Sequence, residues 1–143
     1  MRRYDFIMKS GFRICAVTAS AFALASCTPP EIEIDAELVD GRHVITLTQD
    51  WGLVFSDKQT PCINRVNVYA ERLNWYEGSF RPQPIWRFEV PPMDDCLRLG
   101  SFTLGEVPTG FVEGAPFPPI RPGRLYVVVW GIGMMGEAEI ALP

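Results

Sequence analysis

Residues 31–48 read EIEIDAELVDGRHVITLT, and no other stretch of the chain says as much about its architecture. Ile32, Ile34, Ala36 and Leu38 alternate with Glu31, Glu33, Asp35 and Glu37. A period of two puts the apolar set on one face of a strand and the acids on the other. Asp40-Gly41 then stands between two strand-like runs, the residue pair that a two-residue hairpin turn favours because both positions need positive φ. A turn there pairs Val39 with Arg42, Leu38 with His43, Ala36 with Ile45 and Ile34 with Leu47. The opposite face pairs Asp35 with Thr46 and Glu33 with Thr48. Both strands then present their large apolar residues on one side, as a single buried face requires.

The same period recurs along the rest of the chain. Val66, Val68 and Ala70 alternate with Arg65, Asn67, Tyr69 and Glu71; Trp86, Phe88 and Val90 alternate with Arg87 and Glu89. Leu125 to Trp130 is apolar throughout, as a central strand covered on both faces would be. Ala138, Ile140 and Leu142, spaced by Glu137 and Glu139, would close the sheet, and Leu97 to Leu104 is a weaker strand. No stretch beyond residue 27 has a 3.6-residue period. About seven short strands separated by turn signals predict an all-β fold. The expected form is an antiparallel β-sandwich, immunoglobulin-like or fibronectin-III-like, with a small β-barrel as the alternative. Residues 31–143 are expected to form one domain.

Composition narrows the function classes. A chain of 143 residues, 48% hydrophobic and 21% charged, suits one globular domain and excludes extensive disorder or a polytopic membrane protein. Thirteen basic residues against seventeen acidic ones, a net charge of −4, give no basic excess for nucleic acid. A single histidine, His43, excludes a His-rich metal site and any mechanism that needs two imidazoles.

The first 27 residues differ in kind. Arg2, Arg3, Lys9 and Arg13 stand against one acid, Asp5, and an uncharged apolar run from Ile14 to Leu24 follows. This is the basic head and short apolar core of an export signal. Eleven helical residues span only about 16 Å, against about 30 Å of bilayer hydrocarbon. The run ends in Leu24-Ala25-Ser26-Cys27, which resembles the lipobox of bacterial lipoprotein precursors. The resemblance covers residues 1–27 only. It implies removal of residues 1–26, a diacylglyceryl thioether and an N-acyl chain on Cys27, and a short tether over residues 27–30. Thr28, standing where Asp would favour inner-membrane retention, implies the outer membrane facing the periplasm. The competing readings are an ordinary signal peptide cut at a small-x-small site such as Ala23-Leu24-Ala25, and an uncleaved anchor.

Removing residues 1–26 leaves nine bases against sixteen acids, a net charge of −7. Anionic head groups would repel such a domain, so membrane affinity would rest on the acyl chains. With Cys15 removed and Cys27 lipidated, Cys62 and Cys96 remain as a pair for one disulfide in an oxidising compartment. Two buried thiols are the alternative, and a metal pair is disfavoured because only His43 could add a nitrogen ligand.

Several segments invite a functional reading. Residues 107–124 hold five prolines and three glycines, which predicts a stiff extended connection rather than a strand or helix. Phe111, Phe117 and Ile120 within it need cover, either from the core or from a partner that takes extended Pro-rich segments. Gly131 to Gly136 would join the last two strands as a tip bearing Ile132, Met134 and Met135, an adaptable surface of the kind methionine supplies. Phe111, Phe117, Ile132, Met134 and Met135 are therefore the candidate contact residues. Asp94-Asp95 lacks the six to eight oxygens of a calcium loop. His43 has no nucleophile placed beside it by any motif. The chain carries no GxSxG, HExxH, GxxxxGK[ST] or GxGxxG pattern, so no catalytic residue, metal or further cofactor is assigned. The expectation is a lipid-anchored envelope module with a protein partner and no catalytic role. A small-ligand carrier, or an envelope enzyme acting on glycans or peptides, is the alternative.

Overall fold

The computed structural model describes residues 31–50, 58–74, 82–119 and 121–143. Residues 1–30, on which the expected export signal, Cys27 and tether fall, and Ile120 lie outside the described residues. Among these residues there are nine strands and no helix: β1 (Glu31–Val39), β2 (Arg42–Asp50), β3 (Cys62–Tyr69), β4 (Trp86–Glu89), β5 (Leu97–Arg98), β6 (Ser101–Thr103), β7 (Val112–Ala115), β8 (Gly123–Gly131) and β9 (Met134–Leu142). The fold is all-β.

The β1–β2 hairpin forms in the register its sequence demands. Glu31 to Val39 pair residue for residue with Asp50 to Arg42, including Leu38 with His43, Ala36 with Ile45 and Ile34 with Leu47. Asp40 and Gly41 take φ of 50° and 79°, the left-handed pair of a turn whose twist matches its strands.

The strands join in the order β6-β2-β1-β9-β8-β3-β4-β7, with β5 also on β3, as one sheet curled into a half-barrel. Two expectations are corrected. The strands number nine rather than about seven, and the sheet is mixed rather than wholly antiparallel. β1 and β9 run the same way, from one end of the fold, and where Glu31 meets Met135 the pairing is parallel. Next to that bridge, Gly136 is buried against the backbone of Ile32, whose carbonyl oxygen occupies the place a β-carbon would take.

β4 and β5 are one strand interrupted by a loop. Trp86 to Glu89 pair with Val68 to Arg65, and the Val90 amide donates to the Asn64 carbonyl at 2.9 Å. After residues 91–96, Leu97 and Arg98 resume on Ile63 and Cys62. A Cys62–Cys96 disulfide, Cα–Cα 5.4 Å, ties the base of this loop to the strand it left. The chain then crosses to β2: the Leu47 amide donates to the Gly100 carbonyl at 2.8 Å, and Ser101 to Thr103 pair with Thr46 to Val44. Residues 86–104 thus belong to both halves of the curled sheet.

The core fills the curl. Ile45, Ile63, Val66, Val68, Val127 and Val129 surround Trp86 and Phe88, all fully buried. Phe88 meets Phe102 of β6 and Phe111 edge-on, each at 5.2 Å, and Trp86 meets Phe117 at 5.1 Å. Such offset ring pairs add about 0.5–1.5 kcal/mol each beyond their buried area. The Pro-rich connection is therefore a wall of the core. It also contains β7, contrary to the expectation of no strand there. Residues 109–115 are free of proline, and Val112 to Ala115 use that interval to pair with β4. Glu113 of β7 accepts a hydrogen bond from the Trp86 indole nitrogen at 3.2 Å.

Candidate functional site

The strand pairings give the molecule two ends. Glu31, Asp50, Cys62 and the Ile132-Gly133 turn share one, because Glu31 pairs with Asp50 and with Met135, and Ile63 with Gly131. The Asp40-Gly41 turn, Gly123 and Leu142 mark the other.

The candidate contact residues divide between core and surface. Phe111 and Phe117 are half-buried with their rings against the core. Met134 packs on the same core, and Met135 on a second cluster. Only Ile132 of the five is exposed, at 57%. The tip is tighter than the sequence suggested: Ile132 and Gly133 alone make the turn, while Met134, Met135 and Gly136 belong to β9. Asp94 and Asp95 are exposed beside Met93, itself 94% exposed. No group of three metal-ligating side chains occurs among the described residues.

From sequence the stripe Glu31, Glu33, Asp35, Glu37 reads as the wet face of an edge strand whose charges discourage aberrant pairing. In the structure β1 lies between β2 and β9, and the loss of cover along its apolar row was not singled out. Its inward row loses cover stepwise, from Ile32 at 2% exposed through half-buried Ile34 to exposed Ala36 and Leu38, the last at 57%. Val39 is also exposed, so every residue from Asp35 to Val39 faces solvent. Ala36 was the available signal, since a small residue in an apolar row marks where little volume remains to be filled.

The cause lies in the neighbouring strand. Beyond the Glu31–Met135 bridge no further pairing joins β1 to β9 among the described residues. A cleft of about 450 Å³ opens between them, lined by Ala36, Leu38, His43, Glu139 to Leu142 and Pro143. His43, half-buried, sits in its wall.

Charge is unevenly paired here. On β1, Glu33 accepts hydrogen bonds from the Lys58 ammonium at 2.6 Å and the Thr48 hydroxyl at 3.2 Å. The bond to Lys58, then its charge, then Thr48 hold the Glu33 carboxyl below its ordinary range. Asp35 and Glu37 have no such partner among the described residues. On β9, Glu139 pairs with Arg124 at 2.9 Å.

Two further hollows exist. One of about 490 Å³ lies beside the Pro-rich segment at the hairpin end, walled by Ile85, Phe117, Leu125 and Leu142, with Arg121 and Arg124 among its lining residues. The other, about 300 Å³, lies on the outer sheet face by Arg65, Asn67, Tyr69 and Trp130. There the buried Asn67 amide donates to the Tyr69 hydroxyl at 2.9 Å.

No family model matches the chain, and neither a curated protein nor a solved structure does.

Proposed function

We propose that the protein is a lipid-anchored module of the bacterial cell envelope that works by binding another envelope protein, without catalysis. Cys27 would carry the diacylglyceryl and N-acyl chains, placing the domain on the outer membrane in the periplasm. The observation that carries the reading is the placement of exposed apolar residues relative to the tether. Glu31 begins at the end that holds Ile132, and four residues reach at most about 14 Å from Cys27. Anchoring there turns the other end, with exposed Leu38 and Val39, away from the bilayer by the length of β1, about 30 Å. An apolar edge held at that height is placed to meet a partner rather than lipid.

A sandwich description of the fold belongs to the same proposal. Its support is that Phe102 of β6 touches Trp86 and Phe88 of β4, as facing layers would.

The test is membrane fractionation with crosslinking in intact cells. The native chain should sediment with membranes and yield a defined crosslinked protein; Cys27→Ala should move to the soluble fraction and lose that adduct. Unchanged membrane association of Cys27→Ala would reject the anchor, and a native chain that captures no protein would reject the module.

A small-ligand carrier is the second reading, favoured by the apolar 490 Å³ hollow with two arginines among its lining residues. An amphiphilic carboxylate should then raise the melting temperature of the native chain, and Leu142→Trp should abolish the rise.

A further inference from the structure

We infer that the outer edge of β1 binds an extended segment of a partner polypeptide, one that alternates apolar and basic residues, by adding it as a strand. The inference rests on the reading of the chain as an interaction module but not on the lipid anchor.

The backbone supplies the first argument. A two-residue turn makes Val39 and Arg42 a hydrogen-bonded pair, and such pairs recur at every second residue of an antiparallel ladder. The odd-numbered residues of β1 therefore direct their amides and carbonyls at β2. Ile34, Ala36 and Leu38 direct theirs towards β9, which neighbours β1 in the sheet but forms no ladder pair with them among the described residues. An unpaired edge of this kind is a template for another strand.

The side chains state what the added strand should look like. Residues opposite Ala36 and Leu38 face the cleft towards Ile140 and Leu142 and gain burial by being apolar. Residues on the other face lie beside Asp35 and Glu37, exposed acids with no ion-pair partner among the described residues. Glu139, on the outer face of β9, is already paired with Arg124, so the charge on offer is that of Asp35 and Glu37. Opposite charges across neighbouring strands attract and like charges repel, so basic residues fit this row.

The same acids argue against a second copy of this chain. Two β1 edges laid antiparallel would set the row Glu33, Asp35, Glu37 against itself. Laid parallel, the second copy is turned over and its acids would come to the apolar side, beside Ile34, Ala36 and Leu38. The edge is closed to its own kind and open to a basic partner.

The experiment uses the full chain in mild detergent and a capped eight-residue peptide alternating valine and lysine, with a valine–glutamate peptide as control. The valine–lysine peptide should bind, and the amides of Ile34, Ala36 and Leu38 should exchange with deuterium at least tenfold more slowly in the complex. The double variant Asp35→Lys, Glu37→Lys should weaken binding at least tenfold and admit the valine–glutamate peptide. Ala36→Pro removes an amide that serves no ladder bond among the described residues, so it should keep the native melting temperature while losing the complex; if it unfolds, the charge-reversed pair still decides. Cys27→Ala should bind as the native chain does, which separates this inference from the anchor. Equal binding of both peptides, protection confined to another strand, no binding by the native chain, or self-association through β1 would each overturn it.

Discussion

A methyl group at residue 136 would meet the main-chain oxygen of Ile32, which cannot swing aside as a side chain can. Gly136→Ala should therefore lower stability by about 1–3 kcal/mol, read from a urea midpoint, even though alanine suits a strand better than glycine does. The sequence placed Gly136 in a flexible tip because two other glycines precede it within five residues. Its true role depends on β1, a hundred residues away, and no local pattern announces that. Glu33 supplies a second residue-scale prediction. Its carboxyl is held below its ordinary range by Lys58 first and Thr48 after it. A depressed carboxylate stabilises the fold above its unfolded-state pKa, and that stabilisation fades as pH falls through the folded value. Because the pair is solvent-exposed the effect on stability is small. An NMR titration should find Glu33 below its ordinary range, and Lys58→Ala should bring it back up.

Among the elements, the β1–β2 hairpin was legible to the residue because everything that defines it is local: alternation, a turn of two residues, and agreement between them. β7 was not. Its four residues lie among prolines, and it exists only because β4 offers an edge to pair with. The exposure of Leu38 was illegible for a related reason. Alternation shows which face of β1 points inward but not whether anything lies there to cover it. The interrupted strand of β4 and β5 carries the prediction at this scale. With Cys62 and Cys96 bridged across a separation of 34 residues, the chain-entropy account assigns about 3.8 kcal/mol to the crosslink. The double variant Cys62→Ser, Cys96→Ser should lose stability of that order in equilibrium denaturation. Alkylation of the native protein without reductant should leave both cysteines unmodified.

For the whole molecule, the aromatic core could be foreseen in kind, since Trp86 and Phe88 alternate on a strand, but not in its closure. Phe111 and Phe117 complete it from a segment that seemed equally suited to a partner. With Phe111 and Phe117 turned into the core, the edge of β1 and the hollows at the hairpin end are among the surfaces that remain open on the described residues. Phe88→Ala removes the ring that meets Phe102, Phe111 and Trp86 together, and should cost about 3–5 kcal/mol. The proposal of an anchored binding module rests on the polarity of the molecule, with Glu31 at one end and the exposed hairpin at the other. Intact-mass analysis of the protein taken from bacterial membranes tests that most directly. The account predicts a chain beginning at Cys27 whose mass exceeds that of its residues by a diacylglyceryl group and an acyl chain. A chain beginning at any other residue, or one at Cys27 with no added mass, would contradict it.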